Sequence, residues 1–292
     1  MSFSSIASML SAAQESGQPL YAVIRDVDCQ ENGYDAAASY RQIAALWTAM
    51  QQSSRQYCAS DRSNSGLIGG DAARFRAAAE AGRLLGGTYF QRVTEEALKV
   101  AECNACMKRI VAAPTAGSCG VLPAVLIPLA EVRDVAEETI LQALYIAAGF
   151  GQVTALRASV AGAEGGCQAE IGTASAMAAA ALTHILGGTA QQCADAYAIA
   201  LGNLLGLVCD PVAGLVEVPC VKRNVIGAVN AVSAANMAVA GITSRIPVDE
   251  VIDAMGEVGD ALPASLRETG LGGLAATPTG RQAAERIARA EH

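Results

Sequence analysis

Apolar residues recur at intervals of three and four along most of the chain, the pattern of helices with one buried face. In residues 35–56, for example, Ile43, Leu46, Trp47 and Met50 share one face. No stretch shows the sustained alternation that a half-buried strand requires. The pattern predicts an all-α fold. Its helices are expected over 4–15, 35–56, 88–110, 134–148, 189–208, 248–262 and 279–290, with one starting near residue 71 and two Ala-rich buried ones ending near 186 and 242.

Capping residues and glycines mark the expected helix ends. Thr88, Asp134 and Thr189 each stand before a helical run and are predicted N-caps. Gly149 and Gly151 predict a break before another short helix. Residues 16–34 are interpreted as a polar connection between the first two helices.

Loops rich in glycine or proline separate the later helices. They are SNSGLIGGD (63–71), PTAGSCG (114–120), GAEGGC (162–167), CDPVAGLVEVPC (209–220) and TGLGGLAATPTG (269–280). No repeat and no linker long enough to mark a domain boundary interrupts the chain. We therefore expect a single globular helical domain over 1–292 with these loops gathered near its centre, residues 1–60 being a less characteristic N-terminal helical part.

The composition limits the classes of partner. Hydrophobic residues make up 52% of the 292 residues, with alanine the commonest of them, and the mean hydropathy is +0.31. Uncharged runs at 171–194 and 225–244 have membrane-spanning length but are rich in small and polar residues, so we expect buried core helices and no membrane, with transmembrane helices as the alternative. A net charge of −8 argues against a nucleic-acid partner. The N-terminus lacks a secretory signal, which predicts a cytoplasmic protein.

Nine cysteines in such a chain suggest metal ligands or catalytic thiols more than disulfides. Cys103 and Cys106 form a C-x-x-C, but they lie in a helical run without a second such pair, and we interpret them as small apolar side chains. Cys167, Cys209 and Cys220 each stand at a loop–helix junction beside glycine or proline. Their spacing matches no short metal motif, so the residues alone leave a three-cysteine site as one alternative.

Five strings carry a family resemblance. SGLIGGD, APTAGSCGVLPA, ASVAGAEGGCQAEIGTASAMAAAA, NLLGLVCDPVAGLVEVPCVKRN and ETGLGGLAATPTG resemble segments of bacterial iron–sulfur-dependent L-serine dehydratases, over about residues 63–281. The resemblance implies a [4Fe–4S] cluster on Cys167, Cys209 and Cys220, conversion of L-serine to pyruvate and ammonia, and no pyridoxal phosphate. Cys119 belongs to the family pattern without being a cluster ligand.

The resemblance also implies a substrate site. The PTAGSCG loop is expected to hold the substrate carboxylate through Thr115, Ala116, Gly117, Ser118 and Cys119. Ser65 and Gly66 are the expected contacts of a second loop. Ile68 stands where many relatives have threonine, so no hydroxyl contact is expected there.

The general base is the least determined part of the site. Lys222 is a candidate, preferred as an electrostatic partner of the cluster or the carboxylate. Glu164 is a second candidate, if it is buried with a raised pKa. His184 is interpreted as a core histidine, and His292 is the last residue. Relatives carry a fused domain or a separate β chain with a serine-rich segment ending in histidine, so we expect an oligomer in which a β chain completes the site.

Three other functions are considered. A related lyase acting on cysteine or threonine would use the same iron site with different pocket contacts. A non-enzymatic cluster protein that carries electrons would be better served by four cysteine ligands. A pyridoxal phosphate enzyme would need a Schiff-base lysine beside a phosphate-binding glycine loop, and only Lys222 of the three lysines is near a special loop.

Overall fold

The computed structural model describes residues 3–290, and its secondary structure is helical. Within that range thirteen α-helices and five short helical turns occur and no strand is formed, which confirms the all-α prediction. The helices are α1 Ile6–Ser16, α2 Leu20–Asn32, α3 Ala36–Arg55, α4 Asp71–Glu80, α5 Thr88–Ala105, α6 Val121–Arg133, α7 Glu137–Arg157, α8 Gly162–Gly165, α9 Thr173–Ile185, α10 Ala190–Gly202, α11 Cys220–Val239, α12 Val248–Ala261 and α13 Pro278–Ala290.

The Ala-rich helix α9 lies at the centre and packs against α7, α10 and α11. Its residues Thr173–Ala181 are all buried, and Ala178 to Ala181 have no exposed surface. Side chains this small let helix axes approach closely, because little volume separates the backbones. One continuous apolar cluster extends from Ile6 in α1 to Met255 in α12.

Expected helix boundaries were wrong at Thr88, Asp134, Gly149 and Gly151. Thr88 does not cap α5 but is its first residue, after Gly87 as the N-cap. Asp134 does not start a helix: it ends α6 in the left-handed conformation, with φ 51°, and Ala136 precedes α7. Gly149 and Gly151 do not break α7, which continues to Arg157. A Cβ at Gly149 would lie 2.8 Å from the Ile24 side chain, and a Cβ at Gly151 would lie 2.8 Å from the Met177 side chain. These two glycines therefore serve close packing inside a helix.

Residues 16–34 also differ from the prediction, because most of them form α2. This helix buries Leu20, Ala22, Val23 and Ile24 in its first two turns, while its later residues are mostly polar. The short apolar run is too brief for its periodicity to be recognised in the sequence. At Thr189 the N-cap prediction is confirmed, since its side chain accepts a hydrogen bond from the Gln192 N–H at 3.2 Å.

Two segments have the length and composition of membrane spans. They are Ala116–Arg133 and Glu137–Arg157, and 72% and 67% of their respective hydrophobic windows are buried inside the structure. Neither is one of the runs noted in the sequence. Core helices that are mostly buried have the same character, so the expectation of no membrane stays a prediction.

Candidate functional site

Cys167 ends one loop, Cys209 and Cys220 lie at the two ends of another, and all three are buried free thiols, 3%, 3% and 8% exposed. Gln168 joins the first loop to the segment before Cys209: its N–H donates to the Leu207 carbonyl at 2.9 Å, and its side-chain oxygen accepts from the Gly206 N–H at 2.8 Å. Cys220, eleven positions after Cys209, is the first residue of α11. The fold therefore brings together the three cysteines that the sequence singled out.

The ETGLGG segment is held against the Cys209 loop. The Cys209 N–H donates to the Leu266 carbonyl at 2.9 Å, and the Glu268 N–H donates to the Cys209 carbonyl at 2.8 Å. One residue further, the Asp210 carboxylate accepts from the Leu274 N–H at 2.7 Å. Backbone pairing thus fixes the position of Cys209 from both sides.

Arg223 is the cation that faces the thiols. It lies one turn into α11, its side chain is 11% exposed, and its guanidinium pairs with Asp210 at 2.7 Å. It also donates to the Val208 carbonyl at 2.7 Å, and its positive charge acts on the Cys167 thiol. This charge lowers the pKa of the Cys167 and Cys220 thiols, against the larger effect of burial.

Burial keeps the three thiols protonated at neutral pH. It raises the pKa of Cys167 to about 12 and that of Cys220 to about 11. The pKa of Cys209 is also raised, first by burial and then by its neighbours Cys167, Glu170, Glu268 and Cys220. Because metal ligands must be thiolates, metal binding at these residues would release protons.

Glu170 lies between the cysteines and the PTAGSCG loop. Its carboxylate accepts from the Thr115 hydroxyl at 2.8 Å. A Cβ on Gly162 would lie 2.8 Å from a Glu170 carboxylate oxygen and 3.0 Å from the Cys209 sulfur, and one on Gly117 would lie 3.1 Å from the same carboxylate. Glycine at 117 and 162 therefore leaves the space that Glu170 occupies. Burial raises the pKa of this carboxyl.

Asn224 fixes the PTAGSCG loop to the Cys220 end of α11. Its side-chain amide donates to the Gly117 carbonyl at 2.8 Å and to the Cys220 carbonyl at 3.0 Å, and its side-chain oxygen accepts from the Gly120 N–H at 2.8 Å. Within the loop, Ala116 is exposed and Ser118 and Cys119 are buried. The loop predicted to bind substrate is thus next to the cysteine group.

The second predicted substrate loop reaches the same helix through Glu217. This carboxylate is 6% exposed and accepts from the Ser63 hydroxyl at 2.8 Å and from the Ser65 hydroxyl. Gly66 is exposed with φ 73°, while Ile68 is buried in a small apolar cluster. Since Glu217 is three residues before Cys220, both substrate loops meet the cysteine group at the start of α11.

The two base candidates lie elsewhere. The Lys222 side chain is 66% exposed and its amine pairs with Asp71 at 3.1 Å, so it does not contact the cysteines. Glu164 is exposed, and its carboxylate accepts from the Ser159 hydroxyl at 2.5 Å. A half-buried carboxyl whose pKa is raised by partial burial is found instead at Glu170, six residues later in the same motif. The roles of Lys222 and Glu164 stay predictions.

The remaining candidates are separate from this group. Cys103 is buried in α5, and Cys106 is its half-buried C-cap. Burial raises the pKa of Cys119 to about 12, as expected of a core thiol. His184 is half-buried against Tyr21, with ring centroids 5.9 Å apart, and burial lowers its pKa. His292 lies outside the described residues.

Sequence reasoning missed Glu170, Glu217 and Asn224, although all three stand in the quoted motifs. Nothing in their spacing shows that they turn inward. The one available signal was their position, because charged or amide residues within three or four places of a buried cysteine need partners when the loop is buried.

Three buried thiols are a donor set that fits an iron–sulfur cluster. Among residues 3–290, no three His, Cys, Asp or Glu side chains are arranged to hold one metal ion. In a cluster each thiolate binds a different iron, so the ligands need not converge on one point. Soft thiolates are also the ligands that select such clusters.

Comparison with known proteins identifies the family. Residues 5–275 match the family model described as serine dehydratase alpha chain. The chain is 55% identical over 225 residues, 77% of its length and 75% of the relative's, to the probable L-serine dehydratase alpha chain of Bacillus subtilis strain 168. It is 42% identical over 275 residues, 94% of both chains, to the L-serine dehydratase alpha chain of Peptoniphilus asaccharolyticus.

A longer relative is also similar. L-serine dehydratase TdcG of Escherichia coli strain K12 is 48% identical over 181 residues, which are 61% of this chain but 40% of that protein. The family model spans both cysteine loops, whereas the segment shared with TdcG is less than half of that protein. The chain belongs to the serine dehydratase alpha chain family.

Proposed function

We propose that the chain is the α chain of an L-serine dehydratase, which converts L-serine to pyruvate and ammonia, and that Cys167, Cys209 and Cys220 bind a [4Fe–4S] cluster. The observation that carries the proposal is the group of three buried free thiols next to the PTAGSCG loop. The names of the relatives support the substrate.

The cluster would supply a Lewis acid, and the protein would supply the charged groups that surround the cluster. When bound by three thiolates, it offers one iron without a protein ligand, a Lewis acid for the departure of the serine hydroxyl. Arg223, with its buried charge, offsets the negative charge of the thiolates. Its pairing with Asp210 keeps the guanidinium in place, because the carboxylate is also held by the Leu274 N–H.

Substrate binding is assigned to the two loops that meet at α11. In the first, Thr115 to Cys119 form a tight turn whose backbone N–H groups can hold a carboxylate. In the second, Ser65 is oriented by Glu217. Thr115 and Glu170 form the contact between the first loop and the cysteine group.

A β chain is proposed to complete the site and supply the base. Lys222 and Glu164 point away from the thiols, and the alpha chain names of the relatives imply a partner. TdcG, named without a chain letter, is much longer than the segment it shares with this chain. We further propose an oligomer in the cytoplasm, where a reducing compartment keeps cysteines free.

The test of the cluster is iron and acid-labile sulfide content after anaerobic purification. We expect about four irons per chain, as in a [4Fe–4S] protein, and their loss in Cys167→Ala. Cys193→Ala is the matched control, because Cys193 is an equally buried free cysteine, 1% exposed, outside the group. Equal loss of iron in both variants, or no iron in the wild type, would contradict the proposal.

The test of the activity is pyruvate formation from L-serine with and without the β chain. We expect turnover only when both chains are present, and L-serine to be preferred over L-threonine and L-cysteine. Full activity of the purified α chain alone would contradict the role of the β chain. A preference for cysteine would favour the related lyase instead.

A further inference from the structure

A second group of thiols lies apart from the proposed cluster site. Cys58, Cys103 and Cys106 line one narrow gap at the C-terminal end of α5. All three are free. The same gap is lined by four further side chains, Tyr57, Asp61, Glu102 and Lys108. The C-x-x-C that the proposed function leaves unused therefore has a third cysteine beside it.

Polar contacts hold the segment that carries Cys58 against the end of α5. The Lys108 amine donates to the Gln56 carbonyl at 2.5 Å and pairs with Asp61. In the opposite direction, the Gln56 side-chain amide donates to the Arg109 carbonyl. These contacts hold the Cys58 segment against the end of α5, where Cys58 and Cys106 line the same gap.

The three cysteines differ in exposure and in protonation. Cys58 is exposed, and its sulfur lies 3.1 Å from the Ser60 hydroxyl, whose hydrogen bond lowers the pKa of the thiol; Lys108 acts in the same direction. Burial raises the pKa of Cys103 to about 12 and also raises that of Cys106. Because the thiolate is the reactive form, Cys58 is the nucleophile of the group.

Cys106 is the better partner for Cys58. It is half-buried and caps α5 with φ −90°, and Met107 after it is left-handed, so the helix has already ended there. Cys103 is 1% exposed inside the helix. Cys103 and Cys106 are three positions apart on a helix, about 5–6 Å between Cβ atoms, whereas a disulfide needs about 3.5–4.5 Å. Pairing within the C-x-x-C would require the last turn to open.

We propose that Cys58 is a peroxide-reactive cysteine and that Cys106 resolves its oxidised form as a disulfide. The Cys58 thiolate attacks one oxygen of a hydroperoxide, the O–O bond breaks, and the other oxygen leaves and takes a proton, as an alcohol or water. Sulfur is oxidised by two electrons to a sulfenic acid. The Cys106 thiol then attacks this sulfur, the S–O bond breaks, and water leaves with the thiol proton.

The experiment treats the reduced full-length chain with equimolar hydrogen peroxide, blocks free thiols with N-ethylmaleimide and digests with trypsin. Cleavage at Arg55 and Arg62 releases peptide 56–62 with Cys58, and cleavage at Lys99 and Lys108 releases peptide 100–108 with Cys103 and Cys106. We expect the two peptides cross-linked, with fragment ions placing the bond on Cys106. Neither contains Cys167, Cys209 or Cys220, so the result is independent of the proposed cluster.

Variants separate the roles. Cys106→Ser should abolish the cross-link and leave a Cys58 sulfenic acid that dimedone traps, while Cys103→Ser should retain the cross-link. Ser60→Ala should slow Cys58 alkylation at neutral pH severalfold. Cys29, half-buried on peptide 26–41, is the internal control and should stay reduced. A bond confined to peptide 100–108, or oxidation of Cys58 no faster than that of Cys29, would overturn the proposal.

Discussion

At the residue scale, a single buried cation balances the charges around the proposed site. Arg223 pairs with Asp210 and its charge lowers the pKa of Cys167, while Glu170 and Glu268 are the nearby carboxylates that raise the pKa of Cys209. The neighbouring Lys222 faces solvent. Two adjacent basic residues on one helix thus have opposite environments, because successive helical positions point about 100° apart.

Replacing Arg223 by methionine should lower the free energy of unfolding by about 3–5 kcal/mol, because Asp210 would remain buried without its cation. Urea unfolding of the chain without cluster measures this change. Arg41→Met, at an exposed arginine on α3, should change the same quantity by no more than about 0.5 kcal/mol. A loss of under about 1 kcal/mol for Arg223→Met would show that the ion pair is not required for the loop structure.

At the scale of elements, small residues determine how closely the central helices approach. Gly227 lies in the interior of α11, where a Cβ would be 3.0 Å from methyl groups of Ile171 and Val121. Gly256 lies in the interior of α12, where a Cβ would be 3.4 Å from that of Ala158, an ordinary contact. The two positions have the same secondary structure and differ in the space around them.

Gly227→Ala should therefore destabilise the chain by about 1–3 kcal/mol through overpacking. Gly256→Ala should stabilise it by about 0.5–1 kcal/mol, because alanine loses less backbone entropy in a helix. Chemical denaturation of both variants tests the pair. If both substitutions stabilise the chain, helix propensity rather than packing decides the effect at these sites.

At the scale of the whole molecule, contacts between distant parts of the chain connect its two ends. The Asp249 carboxylate on α12 accepts from the N–H groups of Ile6 and Ala7 at 2.8 and 3.0 Å, and so caps α1. Nearby, Arg157 pairs with Asp253 at 2.5 Å and donates to the Ser4 carbonyl. The N-terminal part, which the sequence showed only as less characteristic, is thereby joined to the core.

Asp249→Ala should cost about 1–2 kcal/mol of unfolding free energy, because two N–H groups at the start of α1 lose their acceptor and its negative charge. The measurement is again chemical denaturation. Glu257→Ala removes an exposed carboxylate from the same helix and serves as the control. Similar losses in the two variants would mean that net charge, and not the cap, is responsible.

The sequence by itself determined the fold class, most helices and the candidate loops. Helical periodicity and caps such as Thr189 are local signals, because they depend on residues three or four positions apart. The clustering of Cys167, Cys209 and Cys220 was predicted from family motifs, and the structure places these cysteines together. Local signals failed for α2, whose apolar run is short, and at Gly149 and Gly151, whose role depends on side chains distant in sequence.

Only the tertiary structure decided which polar side chains face the thiols. Lys222 and Arg223 both adjoin Cys220 in the sequence, but the fold turns only Arg223 towards the thiols. It places Glu170 rather than Glu164 beside them and brings Glu217 and Asn224 to the predicted substrate loops. The direction in which a side chain on a helix or loop points is set by what packs against it. Those partners can be distant in sequence: Ser63 and Glu217, for example, are 154 positions apart. Residues that are close in sequence do not indicate such distant partners. The motifs could therefore be predicted from the sequence, whereas the contacts among their side chains could not.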